Sequence, residues 1–190
     1  METDLIKQLQ SGSEQAFATC VEMYQDKVLN TCYHFLHDRL DAQDVAQDVF
    51  VEVYRSVKSF RKDAQLSTWI YRIAVNKSLD FIRRKNRKKR FGQLVSIFSE
   101  DKEEPIPQLR DDLDPHTHME LQERTAVLNA AINILPENQK TAITLSKYEG
   151  LSNKEIADIL ATSVSSVEAL LHRARKNLHK KLYHYYEKNL

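Results

Sequence analysis

The chain has 190 residues, 42% apolar and 29% charged. That suits one large or two small folded domains and argues against a wholly disordered polypeptide. No apolar run approaches the roughly 20 residues of a membrane span, and three glycines leave little for phosphate cradles or nucleophile elbows.

The formal net charge of +1 conceals blocks of alternating sign: −7 over residues 1–54, +11 over 55–91, −6 over 92–125 and +3 over 126–190. Blocks of this size imply separate surfaces with different partners. The acidic start Met1-Glu2-Thr3-Asp4 has no apolar signal core, so a cytoplasmic chain without membrane insertion is expected.

Residues 14–36 carry apolar side chains at steps of three and four, which predicts one helix. Cys20 and Cys32 both fall on its apolar face, about 18 Å apart along the axis. That is too far to bridge, so both are expected to be core thiols in a reducing compartment. Residues 40–57 predict a second helix. Its polar side holds Asp41, Asp44, Asp48 and Glu52 in one register, with no basic residue among positions 40–54. Like charges at this spacing cost helix stability, so the stripe is either a solvated face or a dock for a basic partner.

A third helix is expected from an N-cap at Ser67, with Trp69, Ile70, Ile73, Ala74, Phe81 and Ile82 inward. Another side presents Arg72, Asn76, Asp80, Arg83 and Arg87, and the helix runs into seven cations within positions 83–90, Arg84 among them. Arg and Asn bond base edges while a cation cluster neutralises phosphates, so this face predicts nucleic-acid contact. Residues 92–118 are acidic and hold Pro105, Pro107 and Pro115, which reads as a flexible linker. The chain is therefore expected to be all-α, with helical domains at 1–91 and 119–190 joined by residues 92–118.

In the second domain the pattern predicts helices over 121–135, stopped at Pro136, and over 137–148, with Gly150 at C′. Ser152 and Glu155 form a capping box opening a short helix, and Ala161-Thr162-Ser163 is a tight connection. A second box, Ser165 with Glu168, opens a longer helix bearing Arg173, Arg175, Lys176, Lys180 and Lys181. A short helix, a three-residue turn and a longer basic helix predict a helix-turn-helix, with an ordinary helical hairpin as the bland alternative.

These motifs, taken in order, resemble the extracytoplasmic-function (ECF) group of the sigma-70 family of bacterial transcription initiation factors. The segment Asp41-Ala42-Gln43-Asp44-Val45-Ala46-Gln47-Asp48-Val49-Phe50 is similar to the polymerase-docking part of region 2. Ser67-Thr68-Trp69-Ile70-Tyr71-Arg72-Ile73-Ala74-Val75-Asn76, followed by Asp80-Phe81-Ile82-Arg83-Arg84, resembles its −10-reading part. Leu135-Pro136-Glu137-Asn138-Gln139, the stretch from Gly150 to Ala157 and Leu171-His172-Arg173-Ala174-Arg175-Lys176 resemble region 4.

The resemblance implies partners: the largest and second-largest subunits of core RNA polymerase, promoter DNA and an anti-sigma factor. It places core-polymerase docking at Asp41, Asp44, Asp48 and Glu52. Reading of the −10 element falls to Arg72, Asn76, Asp80, Arg83, Arg84 and Arg87, with the loop 59–66 receiving a flipped base. Reading of the −35 element falls to Ser165, Ser166, Glu168, Ala169, His172, Arg173 and Lys176. The linker would run through the active-site cleft and RNA exit channel of the polymerase. Two departures stand out: Glu168-Ala169-Leu170 where many relatives have a basic residue, Ser and Arg, and Thr162 where relatives often place Gly.

No catalytic residue, cofactor or metal is expected. The competing readings are a helix-turn-helix regulator acting without polymerase, which leaves the first basic helix and the acidic stripe unexplained, and an enzyme. Cys32, His34 and His37 are close in sequence, but Cys32 sits on the apolar face, so a structural role is expected for them.

Overall fold

The computed structural model describes residues 2–61, 64–95 and 115–189, with side chains described for 3–61, 64–87, 124–183 and 187. Among the described residues it is all-α, with no strand. The chain divides into two compact units, Met1–Ile106 and Pro107–Leu190. The expected linker 92–118 overlaps helix at both ends, and its interior, 96–114, lies outside the described residues.

Unit 1 contains α1 (Glu2–Gln10), α2 (Glu14–Leu36), α3 (Arg39–Ser56), a 3-10 turn (Val57–Ser59) and α4 (Leu66–Val95). Caps set the joints. The Ser13 hydroxyl accepts from Ala16 N at 3.3 Å and opens α2. The Asp38 carboxylate accepts from Asp41 N at 2.9 Å and opens α3. Between them the chain reverses at His37, which adopts φ 55° and returns its N–H to Tyr33 O. Such αL residues close helices by satisfying a terminal carbonyl.

Helices α2, α3 and α4 pack mutually around Cys20, Val28, Cys32, Val45, Val49, Val53, Leu66, Ile70 and Ala74. Each fully buried aliphatic side chain there contributes about 1.5–3 kcal/mol. Cys20 and Cys32 are not joined in a disulfide and are fully buried, as expected, and burial pushes the Cys20 thiol up to about 11. Trp69 also takes the expected core role: it is half-buried, with its ring centroid 5.0 Å from that of Phe60. Helix α1 seals one side through Ile6 and Leu9 and touches both α2 and the 3-10 turn.

Unit 2 contains α5 (Pro115–Asn133), α6 (Glu137–Lys147), α7 (Asn153–Leu160) and α8 (Val164–Asn189). Helix α8 packs against the other three through Val167, Leu171 and Ala174, which are buried with Leu145, Ile156 and Ile159. Ser152 makes the expected capping box: its hydroxyl accepts from Glu155 N at 3.3 Å, and the Glu155 carboxylate accepts from Ser152 N at 2.8 Å.

Several helix ends differ from the sequence reading. Helix α4 begins at Leu66, with Trp69 N donating to Gln65 O, so Ser67 lies inside the first turn and is not the cap. It continues through Gly92 to Val95, and α5 begins at Pro115. Proline suits the first helical position because its missing N–H is an orphan there anyway. Helix α8 is capped by Ser163, whose hydroxyl accepts from Ser166 N at 3.2 Å, so Ser165 and Glu168 form no capping box. Gly150 has the expected positive φ, 64°, but sits two residues past the Tyr148 cap.

Candidate nucleic-acid interface

Helix α4 has two faces of different chemistry. Leu66, Ile70, Ala74 and Ser78 are buried, whereas Asn76, Asp80, Arg83, Arg84 and Arg87 are exposed and Arg72 is half-buried. Steps of three and four from Arg72 keep Asn76, Asp80, Arg83 and Arg87 on one side of the helix. Within that face Arg83 Nη1 donates to Asp80 Oδ1 at 3.0 Å. The pair holds a guanidinium beside a carboxylate acceptor, groups whose chemistry can bond base edges as well as phosphates. The side chains of Lys88, Lys89 and Arg90, the densest part of the cation run, lie outside those described.

The acidic stripe of α3 is divided. Asp41 takes Lys85 Nζ on Oδ2 at 2.8 Å, and Glu52 takes Lys77 Nζ on Oε2 at 2.8 Å. The Lys77 hydrogen bond and charge hold the Glu52 carboxyl below the usual carboxylate range. The like-charge cost that the α3 sequence leaves uncompensated is thus relieved at both ends by α4. Asp44 and Asp48 remain exposed, on the side of α3 that also presents Leu40, Val51 and Tyr54 to solvent. An open groove of about 830 Å³ between α3 and α4 has Asp48 and Glu52 on one wall and Arg83, Arg84 and Arg87 on the other.

The loop before α4 is pinned at both ends. Leu66 is fully buried and Phe60 packs on Trp69. The Gln10 side-chain amide donates to Phe60 O at 2.9 Å and to Val57 O at 3.4 Å. Within the expected base-receiving loop 59–66, Lys62 and Asp63 lie outside the described residues.

In unit 2, α7 and α8 are joined by Ala161, Thr162 and Ser163, as expected of the turn. The left-handed residue is Ala161, at φ 50°, and not Thr162. Ser165, Glu168, Ala169, His172, Arg173 and Lys176 are exposed, and Ser166 is half-buried. They occupy the first four turns of α8, opposite Val167, Leu171 and Ala174. Arg173 Nε donates back to Ala169 O at 3.2 Å.

The metal reading of Cys32, His34 and His37 has no geometric support. Cys32 is fully buried in the unit 1 core. Among the described residues no group of three or more His, Cys, Asp and Glu side chains is placed to hold a metal ion. Sequence reasoning missed Gln10 and Lys77, and missed that Lys85, counted in the cation run, pairs with Asp41 and that Ser163, placed in the turn, caps α8. Lys77 and Lys85 each follow an apolar α4 residue by four, Ile73 and Phe81, a spacing that marks the edge of the packed face. Gln10 carries no comparable signal, because its acceptors lie 47 and 50 residues away.

Family models match at residues 20–88, for sigma-70 region 2, and at residues 125–178, for sigma-70 region 4. The chain is 36% identical over 180 residues to the RNA polymerase sigma-H factor of Pseudomonas aeruginosa, covering 94% of this chain and 92% of that protein. It is 33% identical over 178 residues to the ECF RNA polymerase sigma factor SigW of Bacillus subtilis, covering 93% and 94%. Its fold is similar to that of CnrH, solved in complex with the cytosolic domain of CnrY, with a TM-score of 0.67 at 24% identity over 95% of this chain and 96% of that one. Two helical units bearing these basic faces, matched in order by both family regions, establish that the chain belongs to the ECF group of the sigma-70 family of RNA polymerase sigma factors.

Proposed function

We propose that this sigma factor directs core polymerase by reading two promoter elements through two separate helical faces. The observation that carries the reading is the paired display of exposed polar and basic residues on α4 and α8, each on the side away from its own unit's core. Residues 1–91 take polymerase docking and −10 recognition, residues 92–118 connect, and residues 119–190 take −35 recognition.

On α4, Arg72, Asn76, Asp80 and Arg83 meet −10 bases, and Arg84 and Arg87 meet the backbone. Phosphate contacts set register and affinity while base-edge contacts carry sequence information. On α8, Glu168 and His172 meet −35 bases, flanked by Ser165, Ser166, Ala169, Arg173 and Lys176. Glu168 accepts from a cytosine amino group rather than a phosphate. Polymerase docks on α3 through Asp44 and Asp48, with Asp41 and Glu52 engaged at the α4 edge of the same surface. An apolar ridge of Leu40, Val51 and Tyr54 beside these carboxylates supports a partner helix that is basic and partly apolar.

An anti-sigma protein is a further partner, by analogy with the RpoE sigma factor of Bartonella quintana, solved with the anti-sigma factor NepR. Members of the family are in general not enzymes, and catalysis here belongs to the polymerase. No helix among the described residues is long and apolar enough to cross a membrane, and the site of action is the cytoplasm, where polymerase and promoter are. The deciding experiment is run-off transcription with purified core polymerase over a promoter library. Transcription restricted to promoters sharing −10 and −35 motifs is expected. Binding to one palindrome without polymerase would instead identify a free-standing helix-turn-helix regulator.

A further inference from the structure

The groove of about 830 Å³ between α3 and α4 is lined by a residue that none of the roles above uses. Arg55 stands in the last turn of α3, is exposed, and faces this groove. It follows Asp41, Asp44, Asp48 and Glu52 in the same register of threes and fours, so the acidic stripe ends on a cation. Two of the cations lining the groove are already engaged, Lys77 by Glu52 at 2.8 Å and Arg83 by Asp80 at 3.0 Å. Arg55, Arg84 and Arg87 form no ion pair among the described residues. What remains in the groove is three guanidinium groups against the single carboxylate of Asp48, a balance that favours an anionic occupant.

The shape of the array says which kind of anion. The pairs Lys77–Glu52 and Lys85–Asp41 show that numbering rises along α4 where it falls along α3, so the two helices run antiparallel. Arg87 lies beyond Lys77 by about 15 Å of helix, and Arg55 lies beyond Glu52 by about 4.5 Å in the opposite direction. The guanidinium groups are therefore spread over about 20 Å of the groove. A compact anion would meet them one at a time. A nucleic-acid strand, advancing about 3.4 Å per nucleotide, lays about six phosphates along the same length. Asp48 repels a phosphate only weakly through water, and its place on the α3 wall biases the strand toward Arg84 and Arg87 on the other.

We propose that Arg55 is a DNA-binding residue, and that one promoter strand lies along this groove with its phosphates on Arg55, Arg84 and Arg87. The inference rests on the reading above that the outward face of α4 meets promoter DNA, and it extends that contact onto α3, the helix proposed for polymerase docking. Arginine suits the task because its guanidinium stays charged at any working pH and bonds phosphate through two parallel N–H groups. A contact of this kind sets affinity and register and carries no sequence information.

The test uses full-length chain reconstituted with core polymerase. Promoter affinity is measured as a function of salt, and affinity of the chain for core polymerase is measured without DNA. Each lost phosphate contact lowers the slope of log affinity against log salt by about 0.7–0.9. Arg55→Gln is expected to lower it by that amount, so that its deficit against wild type narrows about threefold between about 50 and 200 mM salt. The effect should be the same at every promoter, with affinity for core polymerase unchanged. Arg55→Lys, which keeps the charge, should keep the slope. Arg84→Gln and Arg87→Gln should each lower the slope by a similar amount, and the three substitutions together by the sum. Arg55 is exposed, so none of its variants opens a cavity. An unchanged slope in Arg55→Gln, with the two α4 variants lowering theirs, removes Arg55 from the track. Loss of affinity for core polymerase with the promoter slope intact overturns the assignment too, and makes Arg55 a docking residue. Unchanged slopes in all three single variants would overturn the DNA-facing reading of α4 itself, a failure distinct from that of Arg55 alone.

Discussion

Asn76, Arg83 and Glu168 are exposed on faces opposite the buried side chains of their helices, so their truncation removes contacts without opening a cavity. Asn76→Ala and Arg83→Ala should change which −10 sequences are transcribed, and Glu168→Ala should alter preference at a single −35 position. Each base-edge contact is worth about 1–3 kcal/mol of discrimination. Transcription from every single-base variant of one promoter measures all three, and unchanged preferences would move the reading heads elsewhere. Glu52 makes a different prediction. Its carboxyl is held below the usual range by Lys77, so the stabilisation it gives is complete above about pH 4.5 and is lost as pH falls through the lower, folded value. Glu52→Gln should therefore lower stability slightly at neutral pH, where the charged pair is complete, and leave the acid end little changed, so that the acid limb flattens in thermal melts between pH 3 and pH 7. The residues proposed to read the −10 element were legible as residue types at helical spacing, and their side chains do share the outward side of α4. The partners Lys77 and Lys85 were not, because a charge pair between α3 and α4 depends on how two helices dock, which one helix's periodicity does not contain.

At the level of the helix, the starts were legible where a hydroxyl or carboxylate stood alone before an apolar run, as at Ser152. They were misplaced where several candidates crowded together. Ser163, Ser165 and Ser166 all present hydroxyls at the start of α8, and the backbone N–H of Ser166 selects Ser163. Helix α7 has only eight residues and relies on its capping box. Ser152→Ala should destabilise unit 2 by about 1 kcal/mol, and Ser163→Ala by a similar amount through α8, both measurable as shifts in thermal midpoint. Ala161→Gly should act in the opposite direction by about 1 kcal/mol, because glycine removes the Cβ strain of φ 50°. On α4, neutralising Lys88, Lys89 and Arg90 together should weaken all promoters alike. It should also flatten the slope of log affinity against log salt by about 2–3 units, since each phosphate contact contributes about 0.7–0.9.

Over the whole chain, the all-α class and two basic helical faces were legible in the alternation of charge blocks and apolar registers. The extents of α4 and α5 were not, because Gly92 and Pro115 punctuate many loops yet are tolerated, respectively, within a helix and at its first position. The faces proposed for −10 and −35 recognition belong to different compact units, so their energetic effects on promoter choice should add. A double-mutant cycle of Asn76→Ala with Glu168→Ala should close within about 0.5 kcal/mol, and a larger coupling would mean that one reading head alters the other. The two fully buried cysteines make such experiments accessible to spectroscopy. With Cys20 enclosed and its thiol held to about 11, the native chain presents almost no thiolate from it to a maleimide at neutral pH. A cysteine introduced at an exposed position outside the proposed contact faces, such as Gln25 on α2, can then be coupled selectively to a fluorophore in the otherwise natural sequence. The same protein that selects a promoter would report, by energy transfer to labelled DNA, the moment at which it arrives.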